Sequence, residues 1–296
     1  MRCRSRYLSL GSLGISLAVG QRTLDSPLSF ETLSTLLSKF LSSRRQGLSK
    51  ETLKFYKGYL NHAFALGVNQ DISSFLNSLK CSNGGKHGYF RALRAFYNWL
   101  YSPKSGYGLN PQDNPMLNVD SPKVEKRILP SVTEEQLEVL LKNAESLRDT
   151  CIISLLADSG MRLTELTNID VPNINWHDCT VTIWGKGNKQ RKAPFTKKTA
   201  NLLQLYLADS HKNNGNFWGI NKYGIQKMLK RLSHSTGIKC NPHTFRRGFA
   251  CQLHRKGVST LSIMHLGGWS SLEMVERYTR SLKFDDCLEH YKAVMK

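Results

Sequence analysis

Two arginines, a lysine, a histidine and a tyrosine stand where their side chains could serve one reaction. Arg162 lies in ADSGMRLTEL, where one helix is expected to end at Gly160 and the next to begin. Lys186 sits between two glycines in WGKGNKQRK, at the tip of an expected hairpin. Arg246 lies in NPHTFRRGFA, where Pro242 suits the first turn of a helix. That start puts His243 three residues before Arg246, on the same helical face. The same helix end offers N–H groups to an anion. Tyr278 closes SSLEMVERYTR near the end of another helix. Guanidinium groups grip the nonbridging oxygens of a phosphodiester in pairs. A general acid serves the leaving oxygen, and a hydroxyl nucleophile can hold the phosphoester covalently for later religation.

Composition agrees with a phosphate-rich partner. The 296 residues carry 42 Lys+Arg against 22 Asp+Glu, a net charge of +20. The excess is spread along the chain, with 18 basic and 7 acidic side chains in residues 1–130 and 24 and 15 in residues 131–296. Such a distribution suits one extended polyanion, and nucleic acid is the leading candidate. No GxxxxGK[ST], GxSxG or HExxH pattern occurs, and no cluster of acids suggests a two-metal site. Seven cysteines without a framework point to reduced thiols and a cytoplasmic location. Cys240-x2-His243 and Cys251-x2-His254 imitate zinc pairs, but the residues between them continue a helix, so no metal or other cofactor is expected. No apolar run is long enough to span a membrane.

These residues need elements to hold them. Residues 1–27, with Arg2, Arg4 and Arg6 ahead of a stretch interrupted by Ser and Gly, read as a basic disordered tail rather than a signal peptide. Residues 28–102 read as four helices: one carrying Leu33, Leu36, Leu37, Phe40 and Leu41 on one face, one opened by Ser49, one near Asp71–Leu79, and one over about His87–Tyr101. Residues 103–130 hold five prolines and read as an extended linker. Thr133 and Gln136 then form a capping-box pattern. The second domain, 131–296, begins with helices over 134–146 and 148–159. Strands are expected over Asn168–Ile174, Thr180–Trp184 and Gln190–Phe195, the last two as a hairpin. Helices follow near 197–209, 222–235, 243–256, 259–266, 271–281 and 284–295. The expected fold is mainly α with a small antiparallel β-sheet, an α+β chain of two domains.

From about residue 28 to the end, these pieces in this order resemble the tyrosine recombinase (phage integrase) family, in its simpler Xer-like layout. SGMRLTELTNI resembles the first arginine motif, WGKGNKQRKAPF the hairpin lysine motif, HTFRR the H-x-x-R box and LGGWSSLEMVERYT the final box. Residues 28–102 resemble the family's helical core-binding, SAM-like DNA-binding domain.

The resemblance implies site-specific recombination of DNA without metal or ATP. Arg162 and Arg246 would clamp the scissile phosphate, and Lys186 would protonate the departing 5′-oxygen. His243 would assist proton transfer at Tyr278, whose attack would leave a 3′-phosphotyrosyl link and a free 5′-hydroxyl. Trp269, nine residues before Tyr278, stands where most members carry His; its indole N–H donates but cannot shuttle a proton. Arg247 departs from the second His of many relatives. Glu165, three residues after Arg162, has the spacing of an ordinary helix ion pair and within the motif would orient its neighbours. Tyr291 matches no box and reads as packing.

Partners follow from the same resemblance. Lys50, Lys54, Lys57, Arg91 and Arg94 recur at helical spacing and, with Lys189, would contact DNA; as readily, a charge run is a solvated face. The final helix, with Phe284, Leu288, Tyr291 and Val294 on one stripe, would by its apolar stripe alone pack on its own domain; the resemblance implies docking into a neighbouring subunit of a tetramer assembled on specific double-stranded sites, with accessory DNA-bending or directionality proteins as further partners. Two other readings stay open. A type IB topoisomerase uses a similar Arg, Lys, His and Tyr set, and a non-catalytic DNA-binding relative would keep the fold without cleavage.

Overall fold

The structure is a computed structural model and describes residues 33–68, 71–125, 129–185, 190–209, 217–279, 288, 291–292 and 295. The chain divides into two compact units, Met1–Lys126 and Arg127–Lys296. Among the described residues it is mainly helical with one small antiparallel sheet, as the sequence pattern leads one to expect.

Among the described residues the first unit packs four α-helices, α1 (Leu33–Arg44), α2 (Lys50–Ala65), α3 (Ile72–Ser78) and α4 (Asn83–Leu100). The starts of α2 and α3 are set by side-chain caps: Ser49 Oγ accepts the Thr52 amide at 3.2 Å, and Asp71 Oδ1 accepts that of Ser74 at 2.9 Å. Helix α4 begins earlier than its apolar period suggests. Ser82 caps it, so the Asn-Gly-Gly stretch ahead of the expected start near His87 forms its first turn. Phe40, Leu60, Ile72, Leu93 and Phe96 are buried at its centre, with the Phe40 and Phe96 rings edge to face at 5.6 Å. Of the α1 face expected to be buried, only Leu37 and Phe40 are fully so. Gly88 permits a close approach of α2, since a Cβ there would fall 2.5 Å from the Tyr59 ring.

The stretch expected as an extended linker is folded over much of its length. Pro103–Ser105 and Pro111–Asp113 form 3-10 turns, for which the fixed φ of proline is suited. Asn114 donates to Asn98 at 2.9 Å and accepts the Met116 amide at 3.0 Å, which seats Met116 in the first unit's core.

The second unit contains α5 (Glu134–Lys142), α6 (Leu147–Ser159) and α7 (Leu163–Thr167), then the strands β1 (Ile174–Asn175), β2 (Thr180–Trp184) and β3 (Gln190–Pro194). It continues with α8 (Lys197–Asp209), α9 (Lys222–Thr236), α10 (Pro242–Arg255), α11 (Thr260–Gly267) and α12 (Leu272–Thr279). The expected capping box is present: Gln136 donates its amide to Thr133 Oγ1 and accepts the Thr133 amide, both at 3.2 Å. Helix α6 is apolar almost all round, with Cys151, Ile152, Ile153, Leu155 and Leu156 buried, and it forms the core of the unit. The sheet order is β1-β2-β3, antiparallel, with Val181 opposite Ala193 and Trp184 opposite Gln190.

Asn168–Ile174 is not a strand. Asn168 caps the end of α7, Asp170 accepts the Val171 amide at 2.9 Å, and Val171–Asn173 is a 3-10 turn. Pro172 has no N–H for a ladder, and pairing starts only at Ile174, opposite Val181. A smaller cluster of Phe249, Ala250, Ile263, Trp269 and Val275 joins α10, α11 and α12. The expected basic tail at 1–27, Lys186, Lys189 and most of the helix expected over 284–295 lie outside the described residues.

Candidate active site

Arg162 is positioned by a chain reversal. Helix α6 ends at Gly160, whose φ of 55° is left-handed and costs glycine little; a Cβ there would fall 2.7 Å from the Phe249 ring. Met161 is fully buried, and Arg162 then starts α7 in an extended conformation. Its Nη1 donates to Glu165 Oε1 at 2.7 Å and its Nη2 to the Gly268 carbonyl at 3.3 Å. The side chain stays 35% exposed, so the guanidinium is oriented by protein yet open to a ligand.

Glu165 is the anchor of this arrangement. Its carboxylate is almost wholly buried and also accepts the Arg162 amide at 2.9 Å and Nη2 of Arg191, on β3, at 2.8 Å. Burial pushes its carboxyl up, but the Arg162 amide and the two guanidinium groups outweigh burial and hold it below the usual range.

Arg246 comes from the first turns of α10. Asn241 and Thr244 close a reciprocal cap, with Asn241 Oδ1 accepting the His243 and Thr244 amides at 3.0 and 3.1 Å. Pro242 follows the cap, as the sequence suggests. Arg246 is only 4% exposed. Its Nη1 donates to the Gly160 carbonyl, while its Nη2 is buried and meets no acceptor among the described residues. Burial first, then the cations Arg162 and Arg191, push the guanidinium down to about 9, against the opposing pull of Glu165 and Tyr278. It remains a cation at neutral pH, and an anion beside it would relieve its desolvation.

The Arg246 guanidinium lies over the indole of Trp269, with Cζ 4.0 Å from the ring centroid. Trp269 is itself buried, and its Nε1 likewise meets no acceptor among the described residues. Its pose depends on the two preceding glycines. Gly268 is left-handed at φ 63°, and a Cβ at Gly267 would overlap the indole. The Tyr278 ring, half-buried on α12, stands 5.7 Å from that of Trp269. Cys251 Sγ donates to the Tyr278 carbonyl at 3.2 Å, which ties the end of α12 to α10.

His243 is exposed at the edge of this group. Desolvation, then Arg247, Arg246 and Arg162, push its imidazole below the ordinary value of 6.5. At neutral pH it is therefore the neutral base, able to accept a proton. Arg247 turns away to donate to the Pro130 carbonyl at 2.6 Å and so fastens the entry to α5.

Arg162, His243, Arg246, Trp269 and Tyr278 are thus gathered in one place, although up to 116 residues separate them in sequence. Lys50, Lys54, Lys57, Arg91 and Arg94 belong to the first unit and are all exposed on α2 and α4. Lys54 pairs with Glu51 at 3.6 Å, and Arg91 lies over the Phe55 ring at 5.2 Å. The zinc-like pairs do not converge, since Cys240 Sγ donates to the Leu229 carbonyl and no metal-ligating group of three or more forms among the described residues. Arg191 escaped the motif reading. The available signal was strand parity: Ala193 is buried, so Arg191, two residues away, faces the same way.

The sequence profile of the phage integrase family matches residues 130–284. The chain belongs to the phage integrase family. This integrase-family protein is 27% identical over 249 residues to the tyrosine recombinase XerA of Pyrococcus horikoshii, an alignment covering 79% of this chain and 85% of that one. It is 32% identical over 209 residues to a tyrosine recombinase of Pseudothermotoga lettingae, covering 66% and 70%. Its fold is similar to that of the XerH site-specific recombinase in a post-cleavage complex with a palindromic difH substrate, with a TM-score of 0.67, 18% identity, and 89% and 85% of the two chains covered. A lambda integrase dimer bound to a COC′ core site gives a TM-score of 0.65 at 16% identity, covering 84% and 77%. The integrase-family chain is accordingly a tyrosine-type site-specific recombinase, an enzyme that cleaves and rejoins DNA.

Proposed function

We propose that Tyr278 is the nucleophile of this recombinase and that Arg162 and Arg246 hold the scissile phosphate it attacks. The observation that carries the reading is the pair of buried N–H groups, on Arg246 and Trp269, that meet no acceptor among the described residues beside the Tyr278 ring. Buried donors are normally paired, so donors left over at a converging site call for a guest acceptor. A phosphodiester supplies two nonbridging oxygens, which gain charge as phosphorus becomes five-coordinate.

The step is a displacement at phosphorus. The Tyr278 oxygen forms a bond to phosphorus and its proton passes to neutral His243. The bond from phosphorus to the 5′-oxygen breaks, and that oxygen leaves as a hydroxyl after protonation by Lys186, the role that the motif resemblance gives it. A 3′-phosphotyrosyl link remains. Attack by a 5′-hydroxyl of another strand reverses the step and rejoins DNA. Trp269 donates through Nε1 and takes no part in proton transfer. The guanidinium groups and the indole supply the positive field, so the reading requires no metal ion.

The first unit, with Lys50, Lys54, Lys57, Arg91 and Arg94 on α2 and α4, serves as the core-binding domain, and Lys189 adds a phosphate contact. The substrate is double-stranded DNA with specific recombination sites, on which four copies assemble through the C-terminal helix in the cytoplasm, assisted by accessory proteins. Among the described residues no helix is long and apolar enough to cross a membrane.

The test is covalent capture. Duplexes with a nick beside the exchange point, recovered from a randomised pool, should give a denaturant-stable adduct with the natural chain. No adduct from any duplex would favour the non-catalytic reading. Relaxation of supercoiled plasmid lacking the recovered sequence would favour the topoisomerase one.

A further inference from the structure

Arg191 lies inside the hairpin motif WGKGNKQRKAPF, where the resemblance gives it no role, yet its side chain bridges two elements of the site's framework. It lies on β3 opposite Ile183, and its side chain is 14% exposed. Nη2 donates to Glu165 Oε2 at 2.8 Å, and Nη1 donates to the Leu266 carbonyl at the end of α11 at 2.9 Å. Its stem runs against Gly268, where an added Cβ would fall 2.4 Å from Cδ and 2.6 Å from Nε. Those two neighbours, Glu165 and Gly268, are also the two that orient the Arg162 guanidinium. Trp269 follows Gly268 directly.

We propose that Arg191 is a positioning residue of the cleavage site, fixing Arg162 through Glu165 and Gly268 and leaving it charged toward phosphate. The inference rests on the reading that Arg162 and Arg246 hold the scissile phosphate.

Two physical arguments carry it. The first is geometric. Arg162 sits at the start of a five-residue helix, too short to hold its own orientation, and its second partner is the carbonyl of a left-handed glycine between two helices. Arg191 ties both partners to the sheet, so the separation between Glu165 and Gly268 is set by one rigid guanidinium and its stem. A displacement of about 1 Å in such a framework can cost about 10²-fold in rate.

The second is electrostatic. A buried carboxylate beside a phosphate site opposes anion binding and draws the nearest guanidinium to itself. With only Arg162 beside it, Glu165 would cancel that residue's charge. Arg191 shares the carboxylate, so the ensemble of Arg162, Arg191, Arg246 and Glu165 keeps a surplus of two positive charges at the place where phosphate binds. The field of Arg191 reaches Arg246 as well.

The experiment measures DNA affinity and, separately, the rate of covalent capture at saturating DNA, using nicked duplexes recovered from a randomised pool by the natural chain. Arg191→Met should bind within about threefold of the natural chain, while its capture rate at saturation falls about 10²-fold. Arg191→Lys, which keeps the charge but not the fork, should fall about tenfold, and it carries the same test if the methionine variant does not fold. Glu165→Gln combined with Arg191→Met should be no slower than Arg191→Met alone, because no carboxylate remains to cancel the charge of Arg162. Independent scaffold contributions would instead multiply. Capture at the natural rate by Arg191→Met, or a double variant whose losses multiply, would overturn the inference. Failure of the natural chain to form any adduct would overturn the underlying phosphate reading instead.

Discussion

The Arg246 guanidinium rests on the face of the Trp269 indole, 4.0 Å from its centroid, and each side chain carries a buried N–H that meets no acceptor among the described residues. The stacking holds a desolvated cation in a fixed pose without consuming its donors. That leaves the donors available to a ligand oxygen, and on the proposed reading the indole both supports the clamp and donates within it.

Replacing Tyr278 by Phe removes one hydroxyl from a half-buried ring and leaves the packing on Trp269 in place. DNA binding should be retained and the denaturant-stable adduct should vanish. A gel assay on nicked duplexes decides it, and continued adduct formation would mean another nucleophile.

Arg246→Ala should reduce the cleavage rate by about 10²–10³-fold, or about 3–4 kcal/mol in the barrier, the usual cost of losing a preorganised donor at developing charge. Arg246→Lys should recover little, since an ammonium cannot both donate to Gly160 and lie flat on an indole. Single-turnover capture rates provide the comparison, and near-natural rates in either variant would refute the clamp assignment.

Trp269 separates support from donation. Trp269→Phe keeps an aromatic face beneath Arg246 but loses the N–H, and it should slow capture about tenfold to a hundredfold with little change in thermal stability. Trp269→His restores a donor on a smaller ring and should exceed the Phe variant in capture rate. A His variant no faster than Phe would show that the indole acts by packing alone.

His243 titrates below 6.5 in the folded chain, so its proton-accepting form dominates at neutral pH. Capture should therefore be level near pH 7 and above and should fall as acidification protonates the imidazole. His243→Ala should be slower throughout and lose that acidic limb. A limb that persists in the alanine variant belongs to another group.

The positive field at the site comes from guanidinium groups and an indole. Capture should therefore proceed unchanged in EDTA, whereas DNA binding by a chain of net charge +20 should weaken steeply with salt. Inhibition of capture by EDTA would bring a metal into the reaction.

Much of this was legible in the residues, and the parts that were not share a cause. Caps at Ser49 and Thr133, the pairing of β2 with β3 as a hairpin, and Pro242 at the start of α10 are written in local sequence, because each depends on side chains within a few positions. Where side-chain hydrogen bonding outweighs periodicity, local reading fails. Ser82 draws two glycines into α4, Asp170 and Pro172 turn an expected strand into a 3-10 turn, and Asn114 folds an expected linker back onto Asn98. At the site, Arg162, His243, Arg246, Trp269 and Tyr278 could be found by the spacing of their boxes. Arg191 lies in the hairpin box and shares the inward parity of Ala193, but its role is not legible there, because its partners Glu165 and Leu266 lie 26 and 75 residues away and only the fold brings them together.

The Gly160 carbonyl that holds Arg246 closes the most deeply buried helix of the second unit, whereas Tyr278 rides on an eight-residue helix that buries Val275 alone. The proposed clamp and the proposed attacker are thus moored unequally. Amide exchange with deuterated solvent should be slowest through α6 and fast along α12. On the proposed reading the phosphate's seat is the firmer of the two, so how readily the chain cuts would be set by how firmly the lightly packed segment holds its phenol in place.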